Sequence, residues 1–507
     1  MISTAGTRFT PSTHDQRLPR RLNLLAWLEL AWLLVLSVPI LLPGLIIDLR
    51  WQPILVLGLF ALRPLHWLLQ NKAGDHQARF SATGLILTIL LCCLPIPVTM
   101  AVASTTWQIT GYLSLGLASY LVVTSHPWFQ KMPHRITQGL LLLGGILVFI
   151  SPSIVQWKSE FRLFYLPLYD LFTTIALQAY DTLHANLLAG ALVLLIPLTL
   201  AHLLPNQQPL HKLEVMDTVD GPKLLRIHQP RQAYERLWKG VFAGLLVLML
   251  TLLLLTQSRG GYIAITVAVG FLVLLRWPRL GYGAPVLITA LGYSIYHSGG
   301  ETIFAFLGAD NTFGGADWRG PVWHASWQAF QDFAWTGIGI GNFQQVMPLL
   351  YPNPAINNLA ATHAHNLLLQ IGLDLGLPGL AAYITFYLTM IGMAIAVLRR
   401  THSPQSTAAA LGATWDGHAL IAPPEVGVTV STKRFIRHVV HQERTRQRHW
   451  VIATGCLAAL IGMQIHGLLD AVTWGNKLAF IPWLIFAQIT LLYHYHLTPT
   501  IPPETER

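Results

Sequence analysis

Residues 241–275 have the sequence VFAGLLVLMLTLLLLTQSRGGYIAITVAVGFLVLL, in which two apolar runs flank the short polar stretch TQSRGG. Each run approaches the roughly 20 residues that an α-helix needs to cross a bilayer. So short a connection joins neighbouring antiparallel helices. The stretch therefore predicts a helical hairpin in a membrane, with Arg259 in its turn.

The whole chain has the composition of a multi-pass membrane protein. Of its 507 residues, 53% are hydrophobic and 11% are charged, against roughly 25% charged residues in soluble domains. Its mean hydropathy is +0.50. We predict an all-α polytopic transmembrane bundle of about twelve spans. The predicted spans are residues 22–47, 51–70, 80–100, 105–124, 136–156, 182–204, 238–257, 261–275, 283–298, 367–398, 450–470 and 475–495.

The distribution of basic residues predicts the orientation of this bundle. If both termini lie in the cytoplasm, most Lys and Arg residues fall in the inside segments, whereas acidic residues divide about evenly. This is the positive-inside pattern of membrane proteins. The net charge of +10 therefore reflects membrane topology, and we expect membrane lipid and no nucleic acid as a partner.

The spans and loops divide the chain into segments of different character. The loop at 399–449 contains a stretch rich in small residues, Pro and Gly, which is typical of a flexible tether. The predicted segments are a cytoplasmic tail (1–21), spans one to nine (22–298), a long periplasmic loop with short helices (299–364), span ten (365–398), a flexible basic cytoplasmic loop (399–449), and spans eleven and twelve with the C-terminal tail (450–507).

The long outer loop is rich in aromatic residues. Trp323, Trp327 and Phe330 follow i, i+4, i+7 spacing, which places them on one face of a helix. One interpretation is an amphipathic helix in the membrane interface, where Trp is favoured. Another is a lid over an active site, with indole faces such as that of Trp323 available to sugar rings. The two interpretations are compatible.

Two arginines on the predicted outer face are candidates for anion binding. Arg259 is followed by Gly260 and Gly261, which would let backbone approach a ligand closely at a helix start, where phosphate is favoured. Arg319 is the only basic residue of the loop 299–364. A guanidinium binds phosphate oxygens bidentately, so a diphosphate is the expected ligand. The alternatives are a snorkelling arginine at 259 and an ion pair of Arg319 with Asp317.

The stretch THAHNLLLQIGLDLGLPGL at 362–380 places histidines at a helix start. Asn366 is a good N-cap, and the positive end of the helix dipole should keep His365 neutral and able to accept a proton. His365 is therefore a candidate general base, or alternatively a capping or interfacial histidine. A metal site with His363 lacks a third ligand at a suitable spacing, and we expect no metal.

Two further polar groups are expected near the same face. Asn366, Gln370 and Asp374 recur every four residues, so they share a helix face that should point into the bundle. His466 and Asp470 lie one helical turn apart near the outer end of span eleven and can pair with each other. That pair is either part of a substrate site or a structural clamp between helices.

Four sequence motifs together resemble the O-antigen ligase and O-antigen polymerase superfamily of bacterial inner-membrane glycosyltransferases. SRGGYIAITVAVGFLVLL at 258–275 resembles its Ser-Arg-Gly-Gly turn, and RGPVWHASWQAFQDFAWTGIGIGNF at 319–343 its periplasmic-loop signature. HNLLLQIGLDLGLPG at 365–379 fits the ligase spacing of His-Asn to two glycines, and HANLLAGALVLLIPLTLA at 184–201 resembles another family helix. Asp374 departs from the glutamate expected in many relatives.

The resemblance implies metal-independent, inverting transfer of a glycan from an undecaprenyl-diphosphate carrier to an acceptor hydroxyl at the periplasmic face, without a cofactor. It implies that Arg259 and Arg319 hold the diphosphate and that His365 deprotonates the acceptor, with His363 orienting or replacing it. The remaining expected substrate contacts are Asn366, Gly260, Gly261, Trp323, His466 and Asp470.

The acceptor and two rival functions remain open at this point. The acceptor is a lipid A core sugar in a ligase and another glycan repeat in a polymerase, and the sequence does not separate them. The first rival is a small-anion transporter, since some members of the superfamily have been linked to bicarbonate uptake. A transporter should place its polar residues near the midplane, in broken helices. The second rival is a non-catalytic scaffold for envelope assembly.

Overall fold

The computed structural model describes most of the predicted helical segments. The described residues are 13–41, 106–157, 183–204, 232–283, 316–357, 361–403 and 432–497, with short pieces at 168, 171–172, 212–217, 221–226, 289–290, 293, 297, 405, 414–415 and 420–421. Predicted spans 51–70 and 80–100, most of 283–298 and the loop residues 299–315 lie outside this set.

Helices dominate the described part of the chain. In order they are α1 (Thr13–Leu41), α2 (Thr106–Ser125), α3 (Pro127–Lys131), α4 (His134–Ile154), α5 (Ala185–Leu203), α6 (Gln232–Thr256), α7 (Arg259–Arg276), α8 (Ala316–Asp332), α9 (Phe343–Leu350), α10 (Pro354–Asn357), α11 (Leu367–Thr401), α12 (Thr432–Gly467) and α13 (Phe480–Leu497). A 3₁₀ turn, Pro278–Gly283, follows α7.

Six helices are long and apolar enough to cross a membrane, which makes this a multi-pass membrane protein. They comprise His134–Ile154, Ala185–Leu203, Arg236–Thr256, Arg259–Arg276, Leu367–Thr401 and His438–Gly467. Shorter apolar stretches at Asn23–Ser37 and Gly111–Ser125 accompany them. The predicted helical membrane bundle is confirmed to this extent, while the count of twelve spans and the orientation stay predictions.

Helix α5 lies at the centre of the bundle, where it packs against α6, α7 and α12. Its sequence is apolar on every side, as expected of a helix that exposes no face, and Leu188, Leu192 and Ile196 are completely buried. Gly455 lets α12 approach closely, because a Cβ atom there would lie 3.0 Å from the Cα of Leu198. Small residues at such crossings are typical of membrane bundles.

The loop segment that contains α8, α9 and α10 is attached to α11 at a break in that helix. Gly376 has φ +70° and ψ −177°, so it interrupts the helix. The amide of Leu377 donates to the carbonyl of Ala334 (2.6 Å), and the amide of Ile338 donates to that of Leu373 (2.7 Å). Backbone groups freed by the break are thus paired by the turn that follows α8. The loop helices are therefore fixed to the same span that begins after His365.

The described strands are short. A hairpin of β3 (Lys212–Asp217) and β4 (Gly221–Arg226) pairs with β6 (Leu420–Ile421), which in turn pairs with β5 (Thr414–Trp415). Part of the segment predicted to be a flexible tether, 399–449, therefore forms backbone hydrogen bonds with the β3–β4 hairpin. A parallel pair of β1 (Val155–Gln156) and β2 (Leu183–His184) precedes α5.

Candidate active site

The loop immediately before α11, residues 362–366, holds the two predicted histidines side by side. The rings of His363 and His365 stack with centroids 4.0 Å apart and planes inclined by 30°. His365 has a positive φ of 49°. This backbone conformation is uncommon for a residue other than glycine, and it persists only when surrounding contacts maintain it. Asn366 caps α11 as predicted, since its side chain accepts from the amide of Leu369.

Asp470, in the connection after α12, faces this histidine loop. One oxygen, Oδ1, lies 2.6 Å from Nε2 of His363 and 3.3 Å from Nδ1 of His365. The other, Oδ2, accepts a hydrogen bond of 2.9 Å from Nδ2 of Asn186, at the start of α5. The predicted side-chain partner of Asp470 was His466, but the carboxylate turns to the histidines instead. Three separate segments of the chain, next to α5, α11 and α12, therefore meet at this carboxylate.

Contacts with the backbone fix the histidine loop from two further sides. Nε1 of Trp323, on α8, donates to the carbonyl of His365 over 3.3 Å. Nδ2 of Asn366 donates to the carbonyl of Leu468 over 3.2 Å. The predicted aromatic face of α8 thus contributes Trp323 to the site, whereas Trp327 is half exposed. The face that α8 buries consists of Val322, Ala325 and neighbouring small residues.

Protonation of the site follows from burial and from neighbouring charges. Burial, together with the neighbouring His363, lowers the pKa of His365 to about 4, although Asp470 opposes the shift. His365 is therefore neutral near pH 7, with burial rather than the helix dipole as the main cause. Burial alone would raise the pKa of Asp470, but hydrogen bonds from His363 and His365 hold it well below its usual range.

Arg319 and Arg259 bring positive charge to the same place. Burial lowers the pKa of the Arg319 guanidinium; Asp470 opposes this shift, and Arg259 adds to it. Arg319 also acts electrostatically on His365. Arg259 is the first residue of α7, and its Nη1 is buried without a hydrogen-bond partner among the described residues. Two guanidinium groups thus share one site with a single described carboxylate, Asp470.

The glycines after Arg259 are used for packing within the protein. A Cβ atom at Gly260 would lie 3.0 Å from Cδ2 of His466. The amide of Gly261 donates to the N-cap side chain of Ser258, 3.3 Å away. The close neighbour of Gly260 within the protein is His466, which is buried, and contact of Gly260 and Gly261 with a ligand stays a prediction.

Gln370 and Asp374 both point into the bundle, which confirms the prediction for their helix face. The Asp374 carboxylate accepts from Nε2 of Gln370 (2.9 Å), from Nε1 of Trp474 (2.8 Å) and from the amide of Gly341 (3.3 Å). Oε1 of Gln370 accepts from the amide of Ala364, between the two histidines, over 2.8 Å. The polar residues inside α11 are therefore connected to the histidine loop.

The fold also brings together a set of atoms that can bind a cation. One ligand-type atom each from His363, His365 and Asp470 lies within 4.8 Å of the others. The sequence spacing offered no third partner for the two histidines, because Asp470 comes from a helix far along the chain. The Asp470 carboxylate already contacts both histidines, and two guanidinium groups lie nearby. Both features disfavour the binding of a metal cation.

Sequence reasoning missed several residues that the structure places at the site. Asn186, Trp474 and Gly341 contact the two buried carboxylates from distant segments. Asn186 lies in the quoted motif HANLLAG, so its segment was visible although its role was not. Nothing in the sequence near Trp474 or Gly341 indicated a partner. Asp317 and Trp318, beside Arg319, have side chains outside the described set.

Comparison with known proteins gave a family match to the central part of the chain. A family model described as O-antigen ligase matches residues 244–384. This range contains Arg259, Arg319, His363 and His365, whereas Asp470 lies beyond its end. A comparison with curated proteins gave no match. The resemblance based on the sequence motifs is confirmed.

Proposed function

With an O-antigen ligase domain at residues 244–384 as the premise, we propose that the protein transfers a glycan from an undecaprenyl-diphosphate carrier to an acceptor hydroxyl in surface polysaccharide synthesis. The reaction takes place at the periplasmic face of the bacterial inner membrane. The coarser statement, a multi-pass membrane protein of glycosyltransferase type, follows from the family match and the six apolar helices.

One observation carries the proposal: two guanidinium groups and a neutral histidine share one end of the bundle. Arg319 interacts electrostatically with Arg259, Asp470 and His365. The two guanidinium groups disfavour each other's charge, and a bound anion beside them would oppose this repulsion. The diphosphate of a lipid carrier has the charge and the oxygen geometry that arginine binds well.

In the proposed reaction, the oxygen of the acceptor hydroxyl attacks the anomeric carbon of the donor glycan, and the bond from that carbon to the diphosphate oxygen breaks. His365 takes the hydroxyl proton on Nε2, because its Nδ1 faces Asp470. The bonding electrons leave with undecaprenyl diphosphate, whose charge Arg259 and Arg319 stabilise. Attack opposite the leaving group inverts the anomeric configuration.

Asp470 and His363 orient the base in this scheme. The carboxylate lies between the two histidines and is fixed by Asn186, so it holds the His365 ring and stabilises the imidazolium that forms when the proton is taken. His363, joined to the same oxygen over 2.6 Å, restricts how far the carboxylate can move. Both residues position His365 rather than react themselves.

We propose that the transfer needs no metal ion, because the two arginines supply the positive charge that a divalent cation would otherwise provide. This part has its own test. Activity of the purified protein should survive dialysis against EDTA and should not rise when Mg²⁺, Mn²⁺ or Zn²⁺ is added. Loss of activity in EDTA that Zn²⁺ restores would instead assign His363, His365 and Asp470 to a metal site.

The function is tested by complementation. A strain lacking the gene is supplied with the wild-type protein or with His365→Ala, Arg259→Ala or Arg319→Ala, and surface glycan is examined on a gel. His324→Ala is the matched control, because His324 is an exposed histidine on α8. We expect wild-type glycan from the control and none from the three site variants at equal protein level. Full glycan from all three would overturn the assignment.

The deletion strain also identifies the acceptor class. Long glycan chains that remain on the lipid carrier indicate that the missing step is ligation. Single repeats attached to the final acceptor indicate that the missing step is polymerisation. In a polymerase the growing chain itself would be one of the two substrates.

A further inference from the structure

We infer that Gln370 and Asp374 are positioning residues that set the geometry of His365 through the backbone of Ala364. The inference rests on the proposed function, since it concerns the placement of the proposed base. It explains why an apolar membrane helix contains an amide and a carboxylate, which are costly at membrane depth unless they serve a purpose.

Gln370 holds the histidine loop directly. Its Oε1 accepts from the amide of Ala364 over 2.8 Å, and Ala364 is completely buried. The neighbouring residue, His365, keeps a left-handed backbone with φ 49°. Such a conformation persists only when surrounding contacts enforce it. The hydrogen bond to Ala364 is a contact at the adjacent peptide, so it controls where the imidazole points.

Asp374 determines which way the Gln370 amide faces. Nε2 of Gln370 donates to Oδ1 of Asp374 over 2.9 Å. The other groups bonded to this carboxyl, the indole of Trp474 and the amide of Gly341, can only donate. Its oxygens therefore act as acceptors, and the amide of Gln370 presents its NH₂ group to them. Its oxygen is then left to face the amide of Ala364. With a donor at position 374 the side chain of Gln370 could turn over, and the bond to the histidine loop would be lost.

Capping of α11 does not account for this arrangement. Asn366 already serves as the N-cap, with its side chain accepting from Leu369. The contact from Gln370 instead reaches backward, six residues toward the N-terminus, to a peptide outside the helix. The two side chains therefore act on the loop rather than on the helix end.

Asp374 also joins the three segments that carry the proposed site residues. It accepts from the amide of Gly341, in the loop that carries Arg319, and from Trp474, in the connection that carries Asp470. Through Gln370 it reaches the histidine loop. One buried carboxylate thus sets the spacing of the proposed base, its orienting carboxylate and one arginine.

The test is an exchange of donor and acceptor between the two positions. Gln370→Glu places two carboxylates together, and Asp374→Asn allows a donor to face Gln370. In the double variant, the amide introduced at position 374 can donate to one oxygen of the carboxylate introduced at position 370, while the other oxygen accepts from Ala364. Each single change should therefore misplace His365, and the double change should restore the connection to the loop.

Turnover is measured with purified protein in lipid vesicles, using the carrier-linked glycan extracted from cells that lack the gene. We expect each single variant to lose roughly 10- to 100-fold in kcat, the cost of a displacement of about 1 Å at a reacting group. KM for the donor should not change in Gln370→Glu, because the contact of Asp374 with the loop that carries Arg319 stays in place. The kcat of the double variant should be at least about tenfold higher than that of the slower single variant.

Two further variants separate positioning from folding. Gln328→Glu adds the same charge at an exposed position of α8 and should keep wild-type turnover. Gln370→Met keeps the length of the side chain without introducing a charge, and it removes both the donor and the acceptor. Its kcat should fall like that of Gln370→Glu, with an unchanged KM and an unchanged melting temperature.

Several outcomes would overturn the inference. Wild-type kcat in folded Gln370→Met, or a double variant no faster than the slower single variant, means that the pair does not position the base. If His365→Ala is inactive in the same assay, the proposed function survives that result. Activity of His365→Ala would instead contradict the proposed function itself.

Discussion

At the end of the bundle away from the histidine loop, Arg446 and Glu443 of α12 form a buried bidentate ion pair, with distances of 2.8 and 2.6 Å. At the other end, Arg319 interacts electrostatically with Arg259 and with the carboxylate of Asp470. Both ends bury charge, but at the first a bidentate carboxylate accompanies the arginine, whereas at the second two guanidinium groups disfavour each other's charge. Nη1 of Arg446 even pairs with the carbonyl of Thr401, at the end of α11.

This difference separates a structural from a functional use of arginine. A buried charge is tolerated when a partner of opposite sign and good geometry accompanies it. The Arg446 end fulfils that condition. At the histidine-loop end, two guanidinium groups lie close enough to disfavour each other's charge beside a neutral imidazole, which is the arrangement expected of a site prepared for an anionic ligand.

The largest effect is expected for Arg319→Ala. Loss of one guanidinium from the leaving group should lower the rate of transfer by roughly 10²- to 10³-fold. The melting temperature should change little, because burial and Arg259 both disfavour the charge at this position. Rate and melting curve are measured on the same preparation. A large fall in melting temperature would place Arg319 with Arg446 as a structural arginine.

Arg446→Ala should show the opposite pattern. Glu443, 6% exposed, would lose its bidentate guanidinium partner, and breaking a buried ion pair in this way costs about 3–5 kcal/mol of stability. The protein that remains folded should transfer glycan at the wild-type rate per molecule. Arg446→Met combined with Glu443→Leu should recover most of the stability in denaturation measurements. If Arg446→Ala instead keeps its stability and loses rate, the contrast between the two ends fails.

Trp323→Phe tests the contact between α8 and the histidine loop. The change keeps the aromatic body but removes the donor to the carbonyl of His365. One hydrogen bond is worth about 0.5–1.5 kcal/mol, so kcat should fall about two- to tenfold. Trp327→Phe is the control, since Trp327 is half exposed. Equal effects of the two changes would assign Trp323 to general packing of the loop.

The smallest effect is expected from pH. Because the pKa of His365 is lowered to about 4, the base stays neutral around pH 7, and the transfer rate should be nearly constant there. In more acidic solution the rate should fall as His365 gains a proton, with a midpoint near its lowered pKa. A pH–rate profile under single-turnover conditions measures this. A midpoint near the ordinary histidine value of about 6.5 would show that burial does not control the base.

The sequence indicated the candidate residues of the site better than the contacts between them. Arg259, Arg319 and His365 could be singled out because basic residues are scarce on one predicted face of the bundle. The contacts behind the proposed orienting role of Asp470 could not, since its partners His363 and Asn186 lie 107 and 284 residues away. Periodicity within α12 suggested the local partner His466 instead. Local spacing cannot reveal contacts made by the packing of separate helices.

The same limit applied to Asp374 and to the fold. Helical periodicity correctly predicted that Asp374 points into the bundle. It could not predict the contact of Asp374 with Trp474, which lies 100 residues away in the sequence. Apolar runs predicted the long spans, because the bilayer sets their length. They did not predict the break at Gly376, where the outer loop is attached, since a glycine in a membrane helix is common and does not by itself indicate a kink.

In the proposed mechanism, the positive charge at the histidine-loop end serves a diphosphate leaving group. Its decisive test measures the undecaprenyl diphosphate released by purified protein in vesicles, with carrier-linked glycan and acceptor present. We expect one carrier released for each glycan transferred by the wild type, and almost none by folded Arg319→Ala or His365→Ala. Equal release by the wild type and these variants, or release without transfer, would contradict the mechanism.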